Sequence, residues 1–383
     1  MTTPSVFAPV SMGPLTLNNR ITMSPMTRSR APGNVPNALM ATYYAQRADV
    51  GLIISEGTSP SPNGLGYSSI PGAYSAEQGT GWKLVADAVH AAGGRIFVQL
   101  MHTGRVTHVA NLPKGAEVVA PSALQAPGQM FTIEHGMQDN SVPRALTTAE
   151  LPAVIAEFVT SAKNLIANGV DGVELHAANG YLLEQFLNPI TNHRDDNYGG
   201  TADNRHRFVV EVAAAVAAAI GGDKVGIRLS PHGKNGGMDA WDGVDDEYVA
   251  LTKKLAATGL QYVHVVDHSA MGGAAVPASL KAAMRAAWPR TFILAGGYDA
   301  ASAEADVVEG KADLISIGRP VLANPGYVAR LKSGSALNAV DFATLYSPGE
   351  KGYTDYPPRL TLSIDLDVVS DIADDVTSRP ATM

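Results

Sequence analysis

Residues 170–207 read VDGVELHAANGYLLEQFLNPITNHRDDNYGGTADNRHR. An apolar strand over 170–175 runs into a loop rich in histidine, asparagine, tyrosine and arginine, and the loop leads to a helix start. Side chains alternate across a strand, so Glu174 and His176 share one face while Val173 and Leu175 take the other. Two polar groups therefore point the same way at the strand's carboxyl end. His176, Asn179 and Tyr181 then bring a ring N–H, an amide and a phenol within six residues; each can donate a hydrogen bond, and the phenol can also release a proton. This is how a barrel enzyme arranges its chemistry, on the loop that follows a strand.

Working outward from this unit, apolar runs at 20–24, 51–55, 95–100, 170–175, 224–229, 261–266, 291–295 and 312–317 alternate with helical patterns. The helices fall at 37–47, 81–92, 151–167, 203–220, 245–257, 278–287, 301–308 and 327–332. Several strands are continuously apolar, which suits a parallel sheet buried on both faces. Many helices end at glycine just before the next strand, as at Gly93-Gly94, Gly169 and Gly259. Eight βα units in succession predict an α/β fold of the (β/α)8 TIM-barrel type rather than a doubly wound sheet. The expected organisation is one domain over 1–383. The barrel takes about 20–335, a lid-like insertion after strand three about 103–146, and a peripheral acidic tail about 359–383.

Composition narrows the function classes. Of the 383 residues 45% are hydrophobic and 17% charged, a globular balance, and the net charge of −8 without any Lys/Arg cluster argues against nucleic acid or an anionic membrane as partner. With no cysteine, neither a disulfide nor a thiolate-ligated zinc or iron–sulfur site can form. The first 20 residues have no basic group before Arg20 and carry Pro4, Pro9 and Pro14, which is unlike a signal peptide. The apolar helix at 208–220 contains Glu211 and is too short to span a bilayer. A cytoplasmic protein is the expectation, as monomer or homodimer.

In such barrels the site lies at the carboxyl ends of the strands. Strand one delivers Pro25, Met26 and Thr27, strand two Gly57, and strand three Gln99, Met101 and His102. Strand four delivers His176, Asn179 and Tyr181, strand five Arg228, strand six His268, and strands seven and eight Gly296-Gly297 and Gly318-Arg319. Two readings of the last pairs stay open: a phosphate clamp of backbone N–H groups and one guanidinium, or two tight turns with a surface arginine. Arg228, in an otherwise apolar strand, needs an acceptor, either Glu174 in the lumen or a ring edge that becomes negative. His264 and His268 lack the partners of a metal site and read as packing or pocket residues, and no metal is expected. There is no Walker loop, and Gly64-Leu65-Gly66 lacks the rest of a dinucleotide loop.

SPMTR at 24–28, QLMHTGR at 99–105, HAANGYLLEQFLNPITNHRDDNYGG from His176, IRLSP at 227–231, ILAGGYD at 293–299, ISIGRPVLANP at 315–325 and KGYTDYP at 351–357 together resemble the Old Yellow Enzyme family of flavin-dependent ene-reductases. The similarity covers roughly residues 5–358. Thr27 after Pro-Met resembles the branch of alkene, nitrate ester and N-ethylmaleimide reductases. The resemblance implies a non-covalent FMN and NADPH or NADH as reductant. It assigns Thr27 to the flavin O4/N5 edge, and Pro25, Met26 and Gly57 to the ring. Gln99 and Arg228 fall at the pyrimidine side, and Gly296, Gly297, Gly318 and Arg319 at the phosphate. It further implies that His176 and Asn179 anchor an electron-withdrawing group, that Tyr181 donates the proton, and that Tyr67, Met101 and Tyr346 border the substrate. Met101 stands where many relatives carry Trp. The implied substrates are activated alkenes, nitro compounds and quinones. The competing readings are a flavin-free phosphate-binding barrel lyase or aldolase, which lacks a visible strand-end lysine, and a flavin-binding protein without turnover.

Overall fold

Eight short apolar runs become strands because each can bury both faces, one into the barrel and one under a helix. They are β1 Ile21–Met23, β2 Leu52–Ile54, β3 Ile96–Leu100, β4 Gly172–Ala177, β5 Val225–Leu229, β6 Tyr262–Val266, β7 Thr291–Ala295 and β8 Leu314–Ile317. Every residue in them is buried. In this computed structural model, which describes residues 5–358, all eight pair in parallel and close into a barrel in chain order, β8 meeting β1 at Ile315 and Ile21. The (β/α)8 architecture expected from the alternation is present. The tail expected at about 359–383 lies outside the described residues.

The surrounding helices start where side chains can satisfy their first free amides. Asn37 accepts from Leu39 and Met40 at the start of Ala38–Ala45, Ser75 and Gln78 form a reciprocal capping box at Ala76–Ala91, and Thr201 caps Ala202–Ile220. Each such cap contributes about 0.5–2 kcal/mol. The outward faces of the strands and the inward faces of the helices share one apolar core that includes Val98, Val173, Phe158 and Phe208.

Three features differ from the sequence expectation. β4 starts later than 170, because the Val170 amide donates to the Leu165 carbonyl to finish the preceding helix, and it ends later than 175, because His176 and Ala177 still pair with Arg228 and Leu229 of β5. The first strands of the chain are a hairpin, Val10–Met12 with Leu15–Leu17. Its Met12 and Leu17 pack on Leu52, Phe97, Ile293 and Leu314 and close the amino end of the barrel. Within 103–146 the chain forms a second hairpin, Gln129–Thr132 with Gly136–Asp139, and a short parallel pair, Val119–Ala120 with Arg144–Ala145. These pieces are too short to show as a period in the sequence.

Candidate active site

The carboxyl ends of the strands surround a cavity of about 1080 Å³, at the upper end of the range for small-molecule sites. Of the strand-end residues singled out above, all but His102 line it; His102 is buried, its Nδ1 accepting from the Gly104 amide. Pro25, Met26, Thr27, Gly57, Gln99 and Met101 enter from β1, β2 and β3; His176, Asn179, Tyr181 and Arg228 from β4 and β5. Gly296, Gly297, Gly318 and Arg319 follow β7 and β8, and Tyr67 and Tyr346 come from the loops. The rim holds residues the sequence reading passed over. Phe131 and Met137 of the second hairpin and Met271 after β6 are exposed apolar side chains on the cavity wall.

Beneath the cavity the barrel interior is polar and ordered by one carboxylate. Glu174 accepts hydrogen bonds from Gln99 Nε2 at 2.8 Å, the Tyr262 hydroxyl at 3.1 Å and His264 Nδ1 at 2.9 Å. Burial alone would raise the Glu174 pKa, but His264, Arg228 and Gln99 together hold it below the ordinary value, so it is ionised. A carboxylate only accepts, which fixes the amide of Gln99: its nitrogen faces Glu174 and its carbonyl oxygen is left for the cavity. His264 therefore belongs to the barrel core, and among the described residues no group of three or more His, Asp or Glu is placed to hold a metal ion.

Arg228 is 6% exposed, yet its guanidinium makes no hydrogen bond or ion pair among the described residues, and its buried Nε has no partner. Glu174, the acceptor that the sequence offered, is engaged by three other donors. A buried cation without a bonded acceptor is costly unless a ligand supplies one. Gly296 and Gly297, at φ 130° and 70°, turn the backbone after β7 into a conformation that side-chain-bearing residues rarely adopt, at the cavity wall.

Beside Arg228, whose register partner on β4 is His176, Tyr181 and Tyr67 share a hydrogen bond of 2.8 Å between their hydroxyls, with rings edge-on, and His176 stands edge-on to Tyr181 at 5.0 Å between centroids. Burial, with Tyr67 beside it, raises the Tyr181 pKa well above 10, so the phenol keeps its proton at neutral pH. Burial, reinforced by Arg228, lowers the His176 pKa well below 6.5, so the imidazole is neutral and donates from one nitrogen only. Its Nδ1 and the Asn179 Oδ1 are buried without partners.

Burial of titratable groups also sets the pH dependence of stability. His176, His264 and His268 are held below 6.5, His102 is lowered to about 3 and His206 to about 4, all chiefly by burial. Unfolded, these side chains take up protons below pH 6.5 that the folded protein refuses, so stability is lost as pH falls through 6.5. Glu56 and Glu184, raised to about 7 by burial, and Asp49 and Glu157, raised by it as well, act in the opposite sense but are fewer than the five imidazoles. The thermal midpoint is expected to fall between pH 7 and pH 5.5; a midpoint that rises over this interval would show these imidazoles to be charged in the fold.

The comparisons with known proteins agree with this geometry. The profile of the NADH:flavin oxidoreductase / NADH oxidase family matches residues 5–338. The chain is 38% identical over 375 residues to 12-oxophytodienoate reductase 7 of Oryza sativa subsp. japonica, covering 92% of this chain and 94% of that one. It is 42% identical over 366 residues to a chanoclavine-I aldehyde reductase of Penicillium roqueforti, covering 92% and 95%. The solved structure of morphinone reductase superposes with a TM-score of 0.90 at 42% identity, over 93% of this chain and 97% of that one. An old yellow enzyme homologue from Zymomonas mobilis gives 0.88 at 38%, over 92% and 99%.

The fold and site define a barrel oxidoreductase. The chain belongs to the Old Yellow Enzyme-like FMN oxidoreductase family, whose cofactors are FMN and NAD(P)H and whose members reduce activated C=C bonds. The residues present fit FMN. The unbonded Arg228 meets the need of a ring that gains negative charge, and the freed Gln99 carbonyl oxygen meets a ring N–H. No lysine lines the cavity among the described residues, so a Schiff-base aldolase finds no nucleophile there.

Proposed function

We propose that this protein reduces α,β-unsaturated carbonyl and nitro compounds in the cytoplasm, accepting quinones as well, and that the cavity at the carboxyl face serves both reductant and acceptor. The whole chain then acts as one barrel domain, with 103–146 as its lid. The carrying observation is the convergence of the unbonded Arg228 with His176, Asn179 and Tyr181 on one cavity. When bound, FMN supplies the two-electron chemistry, taking hydride from NAD(P)H and giving it to the β-carbon of the alkene.

The side chains take distinct tasks in this reading. Gly296, Gly297, Gly318 and Arg319 hold the phosphate; Arg228 and Gln99 hold the pyrimidine side of the ring, Thr27 its O4/N5 edge, and Pro25, Met26 and Gly57 its walls. His176 and Asn179 donate to the carbonyl or nitro oxygen of the acceptor. These bonds strengthen as that oxygen gains charge, which is where they lower the barrier. Tyr181 delivers its proton to the α-carbon. Tyr67, Met101 and Tyr346 bound the space the acceptor fills.

Tyr67 has a further part in the proton step. When Tyr181 gives up its proton, the Tyr67 hydroxyl at 2.8 Å can turn to donate to the phenolate left behind. Tyr67→Phe is expected to slow alkene reduction about 10-fold, the worth of one hydrogen bond to a charged group, without changing reduction by NADPH. Equal alkene turnover in that variant would remove Tyr67 from the step.

The overall reading is tested by steady-state kinetics. Protein reconstituted with FMN should consume NADPH in proportion to added 2-cyclohexenone and form cyclohexanone. Protein that binds no FMN, or that holds FMN and reduces no alkene, nitro compound or quinone, contradicts it.

A further inference from the structure

The turn that presents Asn179 and Tyr181 passes through the left-handed region at two successive residues. Asn179 has φ 60° and Gly180 φ 83°. Asparagine and glycine enter this region more readily than other residues, so the pair supplies the turn, and what remains to be fixed is its direction. A β-carbon at Gly180 would collide with the Asn235 carbonyl oxygen, so the turn is also closed from outside.

What fixes the direction of the turn is a buried carboxylate. Glu184, 3% exposed on the short helix Leu182–Leu187, accepts from the Gly180 amide at 2.6 Å through Oε2. Its Oε1 accepts from the Ser230 hydroxyl at 2.6 Å and from the Tyr248 hydroxyl at 3.1 Å. Ser230, at the end of β5, in turn accepts the Asn179 amide at 2.8 Å. The two successive N–H groups of the left-handed turn thus converge on Glu184, one directly and one through Ser230.

We propose that Glu184 is a positioning residue for the substrate anchor: its ionised carboxylate, acting through the Gly180 amide and Ser230, holds the turn that aims Asn179 and Tyr181 into the cavity. The inference rests on the reading of Asn179 as a substrate anchor. Each of the three groups facing Glu184 donates to it, so an ionised carboxylate satisfies all of them, whereas a protonated one must itself donate and the hydroxyl of Ser230 or Tyr248 has to turn from donor to acceptor.

Among the described residues no cation pairs with Glu184. Tyr248, from the helix Val244–Ala256, is the titratable group in contact. On the same helix Glu247 is paired with Arg205 and Asp245 with His232, and no ion pair reaches Glu184 among the described residues. Burial accordingly raises the Glu184 pKa to about 7, with Ser230, Gly180 and Tyr248 opposing. The anchor is therefore whole above pH 7 and loosened below it. His176, held well below 6.5, and Tyr181, well above 10, do not titrate in that interval. Glu56 is also raised to about 7, but it accepts from the Arg28 amide and Tyr44.

The test is the affinity of oxidised, FMN-loaded protein for cyclohexanone, a ketone without a C=C bond to reduce, read from the flavin absorbance between pH 6 and pH 8.5. Wild type is expected to bind about 10-fold more weakly at pH 6 than at pH 8, the loss of one buried hydrogen bond to a charged group. Glu184→Gln should be weak and flat across this range with FMN affinity retained, which separates Glu184 from Glu56. Ser230→Ala should weaken cyclohexanone binding with FMN retained, and it leaves the buried charge in place if Glu184→Gln does not fold. A wild-type affinity that is flat with pH, or Glu184→Gln and Ser230→Ala variants that bind as wild type does, overturns the proposal. Protein that takes up no FMN defeats the functional reading instead.

Discussion

Tyr181→Phe is expected to leave the bleaching of bound flavin by NADPH at the wild-type rate while slowing the reduction of 2-cyclohexenone about 10²–10⁴-fold, the usual contribution of a positioned general acid. The separation follows from where the phenol sits. Tyr181 packs against Tyr67 and His176 on the substrate side of the cavity and makes no hydrogen bond to Gln99, Arg228 or the turns after β7 and β8. Removing its hydroxyl takes away the proton and nothing that holds FMN. The measurement is rapid mixing without air, each half of the reaction followed separately by flavin absorbance. Loss of both halves to the same degree would mean that Tyr181 shapes the cavity, and unchanged alkene reduction would mean that the proton comes from elsewhere.

Arg228→Met should weaken FMN binding about 10- to 100-fold, the range for losing one or two hydrogen bonds to a charged group. Methionine keeps an unbranched apolar stem and removes the charge. Glu174 retains Gln99, Tyr262 and His264 as donors in the variant, so the barrel interior is not left with an unsatisfied carboxylate. Because the wild-type guanidinium is buried without an acceptor in the protein itself, the flavin-free variant should unfold at the same temperature as wild type or higher. Isothermal titration with FMN and thermal unfolding of the flavin-free protein read the two effects independently. Wild-type FMN affinity would remove Arg228 from the cofactor site, and a large fall in midpoint would make it a structural residue.

The barrel was legible in the sequence because several of its strands are continuously apolar and several lead to polar residues with chemistry to offer. Val225–Leu229 with Arg228, and Gly172–Ala177 leading to Asn179 and Tyr181, are the clearest cases. What escaped depends on contacts between distant positions. Sequence alternation put Glu174 in the lumen but left open whether it pairs with Arg228. The answer depends on Gln99, Tyr262 and His264, contributed by β3 and β6 at a height set by the stagger of the barrel. Ser230 and Glu184 are 46 positions apart, and Tyr67 and Tyr181 are 114 apart, so neither pair leaves a local pattern. The hairpin Gln129–Thr132 with Gly136–Asp139 escaped for another reason. Four-residue strands with charged and polar neighbours carry too little alternation to distinguish them from loop.

One cavity serving both halves of a redox cycle is the central proposal, and a single turnover without air tests it directly. Purified FMN-loaded protein mixed with one equivalent of NADPH should lose its yellow absorbance; added 2-cyclohexenone should then restore it, with one cyclohexanone formed per flavin. Bleached protein that no activated alkene, nitro compound or quinone can reoxidise would contradict the account.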